Sequence, residues 1–187
     1  QPTIPHRVAR ALASGADEVL IATDDQRILD ACAGLGAKAL MTDAGHRSGT
    51  DRVAEAVERC GWDADTIVVN LQGDEPGMPS ALIDQVAGEL EGAPGVGMAT
   101  LAYPIRDSAL LFDPHVVKVV TSAAGLALYF SRAPMPWHRD EFLGARAKLP
   151  STLTFLRHIG LYAYRVSFLR RYVELLSLIH ISQGIVR

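Results

Sequence analysis

The residues best suited to chemistry follow strongly apolar segments that are predicted to be strands. The clearest such segment, 66–71, is followed by Gln-Gly-Asp-Glu-Pro at 72–76. Neighbouring carboxylates on an extended chain point in opposite directions, and Pro76 keeps Glu75 extended, so one carboxylate is expected to face a site. We identify Asp74 as a Mg²⁺ ligand, because one or two carboxylates usually hold Mg²⁺ together with substrate phosphates and water. The alternative is a solvated acidic loop before the next helix.

A second polar cluster, with the sequence His-Arg-Ser-Gly-Thr-Asp-Arg, leads into a predicted helix. Thr50 is expected to cap this helix, and Asp51 favours its positive N-terminal end. Ser48, Gly49 and Arg52 then have no structural explanation. A Ser-Gly pair lets the backbone approach a flat ligand closely, and an Arg in the first turn can donate several hydrogen bonds to a base carbonyl or a phosphate. The alternative is a capped surface helix.

Further polar side chains lie at the ends of other predicted strands. Thr23 and Asp24 end one of them, and in open α/β sheets ligands bind beyond the carboxyl ends of the strands. Arg132 ends a predicted hairpin and can either clamp a carboxylate or lie on the surface. Arg157 and His158 precede an apolar strand, although a single His beside a strand is more often a structural hydrogen-bonding group than a ligand.

The elements that must position these residues alternate between helix and strand before a hairpin appears. This order predicts a doubly wound, mostly parallel, Rossmann-like α/β sheet with a β-hairpin excursion. The segment 66–71 is apolar on both faces, as a central parallel strand should be. Strands are predicted at 18–23, 37–41, 66–71, 96–103, 116–121, 126–131 and 159–164, and helices at 4–14, 28–34, 50–60, 80–91 and 166–176.

Composition excludes several classes of protein. The 187 residues are 49% hydrophobic and 21% charged, which argues against disorder, and the net charge of -3 indicates neither a nucleic-acid nor a membrane-surface protein. No apolar run reaches the ~20 residues that a membrane span needs. Cys32 and Cys60 belong to no metal-binding pattern, so two reduced thiols in a cytoplasmic protein are expected.

Taken together, these segments resemble the 3-deoxy-manno-octulosonate (KDO) cytidylyltransferases. The resemblance extends in the family's order from the start of the chain to about Glu174, and its most specific parts are Ser-Gly-Thr-Asp-Arg and Gln-Gly-Asp-Glu-Pro. It implies the nucleotide-diphospho-sugar transferase form of the predicted sheet. The other matching segments are 21–24, 41–42, 46–47, 69–71, 98–101, 117–120, 127–132, 136–137 and 156–162.

The resemblance implies that CTP and KDO react to give CMP-KDO and pyrophosphate with Mg²⁺, a step in lipopolysaccharide precursor synthesis. Asp74 would hold the metal, and Gln72 would lie between nucleotide and sugar as a second catalytic residue. The remaining implied residues fall into two groups by ligand. The nucleotide would be bound by Ser48, Gly49, Arg52, Thr23 and Asp24, and the sugar acid by Arg157, His158, Tyr162 and, more weakly, Arg132.

The resemblance also implies a homodimer formed through the hairpin at 116–131. Residues 1–174 are expected to form a partial cytidylyltransferase domain, and 175–187 do not match the family and are interpreted as foreign or frame-shifted sequence. The family begins with a strand and a phosphate-binding loop that this sequence does not show. We therefore expect this chain by itself to be poorly soluble or inactive. The alternatives are a cytidylyltransferase for another sugar acid, such as sialate, and an inactive nucleotide-binding module.

Overall fold

The computed structural model describes residues 4–46, 48–71, 77–142 and 148–183, with side chains as far as residue 174. The chain divides into two units, one formed by Gln1–Ala99 with Leu161–Arg187 and the other by Thr100–Gly160. The elements are α1 Ile4–Leu12, β1 Leu20–Thr23, α2 Gln26–Cys32, β2 Lys38–Met41, α3 Gly49–Cys60, β3 Ile67–Leu71, α4 Ser80–Glu91, β4 Met98–Pro104, α5 Ser108–Phe112, β5 Lys118–Thr121, β6 Ala127–Ser131, β7 Leu156–Arg165 and α6 Val166–Gln183.

Two strand pairings of described register lie in the first unit. β1 pairs with β2 in parallel, with Leu20 opposite Lys38, whereas β3 pairs antiparallel with the second half of β7, with Ile67 opposite Arg165. Helix α4 packs on β3, and α3 packs on α6. The core here is a group of buried side chains, Val57, Tyr164, Val166 and Leu169, with Val68 of β3 packed against it.

Helix α3 shows how local sequence sets an element boundary. Its N-terminal residue is capped by Ser48, whose hydroxyl accepts from the backbone N–H of Asp51, while the Asp51 carboxylate accepts from the backbone N–H of Ser48. The helix ends at Gly61, which adopts a left-handed φ of 66° that glycine tolerates without strain. The predicted cap at Thr50 is therefore wrong, because Ser48 has the extended backbone of a cap and Thr50 already lies within the helix.

The second unit is built on a hairpin and an aromatic core. β5 and β6 pair antiparallel around a turn in which Gly125 has a φ of 79°. β5 also pairs antiparallel with the first half of β7, with Lys118 opposite Arg157. A second core of buried side chains, Ile105, Leu111, Phe142 and Phe155, lies in this unit. Helix α5, which supplies Leu111, was not predicted because its five residues are too few to show a helical period.

The predicted mostly parallel, Rossmann-like sheet is wrong. Among the strand pairings whose register the structure describes, only that of β1 with β2 is parallel, and these two strands form a sheet of their own. In the sheet that contains β3, β5, β6 and β7, with β4 also paired to β7, every pairing whose register is described is antiparallel. The physical reason is that apolar side chains on both faces of a strand indicate packing on both sides of it, and carry no information about the direction of its neighbour.

The positions of most elements agree with the prediction within a few residues, including the hairpin of β5 and β6. Cys32 and Cys60 are both free thiols, as expected. Within the described ranges, none of the helices combines the length and apolar character needed to cross a membrane.

Candidate functional site

The centre of the candidate site is the guanidinium of Arg52, in the first turns of α3. Its Nη2 donates to Asp24 Oδ2 at 2.8 Å, and its Nη1 donates to Thr42 Oγ1 at 2.5 Å. The hydrogen bond from Arg52 is also the main reason why the pKa of Asp24 is lowered. Two residues predicted to bind nucleotide, Arg52 and Asp24, are thus in direct contact, and the guanidinium is held between the ends of β1 and β2.

Ser48 and Gly49 lie beside Arg52 at the N-terminus of α3, and both are exposed. A side chain added at Gly49 would meet no atom within 4 Å, so the space next to its backbone is open. The hydroxyl of Ser48 is engaged in capping the helix. The backbone of this segment can therefore be approached closely by a flat ligand, which is the role predicted for it.

Thr23 has a supporting position at the same end of β1. Its side chain is buried, and its Oγ1 accepts from the backbone N–H of Asp25 at 3.1 Å. Asp25 in turn caps α2 and forms an exposed ion pair with Arg27. The contact orders the turn that carries Asp24, so Thr23 is placed to shape this turn.

A cluster of charged residues holds the loop that leads to Ser48. Glu55 Oε2 lies 2.5 Å from His46 Nε2 and accepts from the backbone N–H of Asp43 at 2.8 Å, while Glu55 Oε1 accepts from Arg59 at 3.0 Å. These contacts, with His46 first, lower the pKa of Glu55 to about 2. The ionised carboxylate therefore ties the loop after β2 to α3.

In the second unit, Arg157 and His158 lie on β7. The guanidinium carbon of Arg157 lies 5.9 Å from the centre of the Tyr103 ring, and its buried Nε has no hydrogen-bond partner in the described part of the chain. His158 Nε2 lies 2.9 Å from Thr100 Oγ1, and its ring meets Phe130 edge to face at 5.1 Å. Burial lowers the pKa of His158, which favours the neutral imidazole.

The other two residues predicted to bind the sugar acid, Arg132 and Tyr162, make contacts with other residues of the chain. Arg132 donates to the backbone carbonyls of Pro114 at 3.0 Å and His115 at 3.2 Å, so its guanidinium is already used within the second unit. Tyr162 belongs to the first unit, where its ring stacks on Tyr164 at 6.0 Å, and burial raises its pKa. Whether these residues bind a sugar acid stays a prediction.

The predicted metal ligand cannot be placed. Asp74 and Gln72 lie outside the described residues. Within the ranges that are described, no group of three His, Cys, Asp or Glu residues could hold a metal ion. The carboxylate of Asp24, the acidic residue at the centre of the site, is bound by Arg52.

Sequence reasoning missed Thr42 and Thr100. Thr42 is buried directly after β2 and contacts Arg52; a polar residue following a strand is a signal that could have identified it. Thr100 lies within β4 and contacts the ring of His158. Only the pairing of β4 with β7 brings these two residues together, so no local signal was present.

Comparison with known proteins gives consistent similarities. The family profile described as "Cytidylyltransferase" matches residues 1–178. The chain is 55% identical over 92% of its length to the 3-deoxy-manno-octulosonate cytidylyltransferase of Hahella chejuensis, and 54% identical over 88% to that of Pseudomonas syringae pv. syringae. It spans 68% and 65% of the lengths of these two relatives.

A solved structure is also similar to this chain. It is that of CMP:2-keto-3-deoxy-manno-octonic acid synthetase complexed with CTP, with a TM-score of 0.80 and 38% sequence identity. The similarity covers 92% of this chain and 66% of that one.

Proposed function

Because the chain belongs to the cytidylyltransferase family, we propose that it transfers a cytidylyl group from CTP to KDO, giving CMP-KDO and pyrophosphate. The family predicted from the sequence is confirmed by this membership, and it is a family of nucleotidyltransferases. Relatives that carry the KDO cytidylyltransferase name support the proposed sugar acid, and the CTP-bound structural neighbour supports the nucleotide.

The observation that carries the proposal is the position of Arg52 beside Gly49. The contacts with Asp24 and Thr42 orient the guanidinium but leave further N–H groups to donate to a base carbonyl. The open space at Gly49 admits a flat ring next to the helix backbone. A pyrimidine with carbonyl and ring-nitrogen acceptors suits this combination, so we assign the cytosine to the N-terminus of α3.

The reaction proposed for this site depends mainly on positioning and charge neutralisation. The anomeric hydroxyl of the sugar acid attacks the α-phosphorus of CTP, and pyrophosphate leaves from the opposite side. Gln72 would lie between nucleotide and sugar. Mg²⁺, held by Asp74 in this proposal, would neutralise charge on the phosphates when bound. Both assignments rest on the resemblance of the segment that contains them.

The residues proposed for the sugar acid are Arg157, His158, Tyr162 and Arg132. Arg157 is favoured for the carboxylate, because its buried Nε has no partner in the described part of the chain and a charged acceptor would satisfy it. His158 would act as a neutral hydrogen-bonding group toward a hydroxyl, in agreement with its lowered pKa. Arg132 is the weakest candidate, since backbone carbonyls already bind it.

We further propose that the protein is a homodimer formed through the β5–β6 hairpin. On β6 and the turn before it, large apolar side chains are strongly exposed: Leu128 is 67% accessible, Tyr129 63% and Leu126 52%. Large apolar side chains that are exposed together on one short element are typical of an interface. The two free cysteines fit a protein of the reducing cytoplasm, which is the location we propose.

The experiment that tests the function measures pyrophosphate release from CTP and KDO with Mg²⁺. It compares this chain with a chimera that carries the terminal segments of the Hahella chejuensis relative. The proposal is supported if the chimera turns over and if both Asp74→Ala and removal of Mg²⁺ with EDTA abolish this turnover. Turnover only with another sugar acid would show that KDO is not the substrate. Binding of cytidine nucleotides without any turnover would instead support the nucleotide-binding module.

A further inference from the structure

The contacts of the His158 imidazole determine which of its two ring nitrogens carries a hydrogen. Its Nε2 lies 2.9 Å from Oγ1 of Thr100, and the same Oγ1 lies 3.1 Å from the carbonyl oxygen of Ile159. Thr100 lies on β4, His158 and Ile159 lie on β7, and all three belong to the second unit. The hydroxyl of Thr100 therefore bridges a ring nitrogen and a backbone carbonyl.

The direction of these two hydrogen bonds follows from the chemistry of the three groups. A backbone carbonyl has no hydrogen to give, so the hydroxyl of Thr100 donates its single hydrogen to Ile159. Toward the imidazole the hydroxyl oxygen then acts as an acceptor, and the ring nitrogen must be the donor. The hydrogen-bond network thus assigns a hydrogen to Nε2 of His158.

The state of the other ring nitrogen, Nδ1, depends on the charge of the imidazole. In the imidazolium both nitrogens donate, whereas in the neutral ring only one does and the other accepts. Burial lowers the pKa of His158 below its ordinary value of 6.5, because desolvation disfavours the charged ring. At neutral pH and above, His158 therefore has a donor at Nε2 and an acceptor at Nδ1.

The orientation of the ring is held as well as its tautomer. The backbone N–H of His158 donates to the carbonyl of Val117 at 2.8 Å, which fixes this part of β7. The Phe130 ring on β6 meets the imidazole edge to face at 5.1 Å. A half-turn of the imidazole would place a ring carbon where Nε2 now lies and would break the hydrogen bond to Thr100.

We propose that Thr100 is a positioning residue, which holds His158 in the tautomer whose Nδ1 accepts a hydrogen bond from a hydroxyl of the sugar acid. This inference rests on the proposed function, since the sugar acid is the ligand proposed for His158. The other tautomer would present an N–H at Nδ1 and would favour a carbonyl or carboxylate oxygen instead. Thr100 thus acts on the ligand through His158, by deciding which kind of group the imidazole selects.

The first test needs no activity and uses this chain with ¹⁵N-labelled histidine. At a pH well above 6.5, the ¹⁵N resonances of His158 should show a protonated Nε2 and an unprotonated Nδ1, which resonate far apart. Loss of the same signals in His158→Gln assigns them. Thr100→Ser keeps the hydroxyl and should keep this pattern.

Thr100→Val has nearly the same shape as the native residue but no oxygen. The Nε2–H of His158 would then lose its acceptor in a partly buried position, which is unfavourable. The ratio of the Nδ1–H to the Nε2–H tautomer should therefore rise by at least about tenfold in this variant.

The second test measures KM for KDO and for CTP with the chimera that carries the terminal segments of the Hahella chejuensis relative. Thr100→Val should raise KM for KDO by about three- to tenfold and leave KM for CTP unchanged, because one hydrogen bond to the sugar acid is lost. Thr100→Ser should keep both values near those of the native residue. Absence of turnover with KDO would overturn the proposed function and the ligand assigned to Nδ1, while the ¹⁵N resonances would still decide whether Thr100 fixes the tautomer.

Three further results would overturn the inference. A protonated Nδ1 in the native chain would show that Thr100 does not hold the hydrogen at Nε2. An unchanged tautomer ratio in Thr100→Val would show that the hydroxyl is not needed. Equal increases of KM for KDO and for CTP would indicate a general disturbance of the fold rather than an effect through His158.

Discussion

The side chain of Arg52, on α3, donates a hydrogen bond of 2.8 Å to the carboxylate of Asp24, which follows β1 directly. The two residues are 28 positions apart in the chain. The same guanidinium also reaches Thr42, so one side chain joins the ends of two parallel strands to the start of a helix. A preorganised guanidinium binds a ligand with a smaller loss of side-chain entropy. Arg52 is therefore the residue most suitable for testing the nucleotide site.

Replacing Arg52 by Lys should weaken binding of CTP to this chain by at least about tenfold, measured by calorimetry. A lysine ammonium is a single point charge, so it cannot keep the contacts with Asp24 and Thr42 while also donating to a base. The control is Arg27→Lys, because Arg27 is 90% exposed in a surface ion pair with Asp25 and should leave CTP affinity unchanged. Equal losses in both variants would mean that the loss is not specific to Arg52, and would contradict the assignment of Arg52 to the nucleotide.

The stability of the protein should depend on the ionisation of Glu55. Its pKa is lowered from the ordinary 4.5 to about 2, mainly by the hydrogen bond with His46, so folding favours the ionised form. The stabilising contribution is fully present above pH 4.5 and is lost as the pH falls from 4.5 toward 2. The difference in unfolding free energy between the native chain and Glu55→Gln, measured in urea, should shrink over this window.

The Glu89→Gln variant, at an exposed residue, controls for the removal of a negative charge. Its difference in unfolding free energy from the native chain should not shrink comparably between pH 4.5 and 2. If the difference in unfolding free energy between the native chain and Glu55→Gln stays constant from pH 7 to 2, the proposed stabilising role of the ionised Glu55 is contradicted. Exchange of the Asp43 amide, which donates to Glu55, offers a local readout of the same event.

Substituting alanine for each of two glycines should change the stability of the protein in opposite directions. A Cβ at Gly97 would lie 2.3 Å from Cδ2 of Phe168 and 2.6 Å from its Cβ, so Gly97→Ala should destabilise the first unit by about 1–3 kcal/mol. Gly88 lies inside α4 with nothing within 4 Å, so Gly88→Ala should stabilise by about 0.5–1 kcal/mol. Thermal unfolding of both variants measures these changes in stability. Adding Phe168→Ala to Gly97→Ala should partly restore the stability that Gly97→Ala loses.

The proposed homodimer should dissociate when the exposed face of β6 becomes charged. Leu128→Asp, at a residue that is 67% accessible, should shift the sedimentation profile toward the monomer without lowering the melting temperature of the monomer. Leu12→Asp, at an exposed apolar residue of α1 in the other unit, is the matched control and should leave the oligomeric state unchanged. A native chain that sediments as a monomer at all concentrations would exclude this interface.

Several features of the fold were accessible from the sequence because they depend on neighbouring residues. The apolar run that forms β3, the 3.6-residue period of α4 and the Gly-containing turn between β5 and β6 each act over a few positions. The family could also be recognised, because its motifs are short and contiguous. The N-terminal cap of α3 was assigned to the wrong residue, since Ser48 and Thr50 have similar capping preferences and only the backbone conformation separates them.

What the sequence by itself determined is therefore the type and approximate position of most elements, the family and a set of candidate residues. The tertiary structure decided that β3 and β7 run antiparallel, that Arg52 contacts Thr42 and Asp24, and that Thr100 contacts the ring of His158. The physical reason is range: a residue's backbone preference acts on its immediate neighbours. Strand direction and side-chain partners instead depend on packing between segments tens of residues apart.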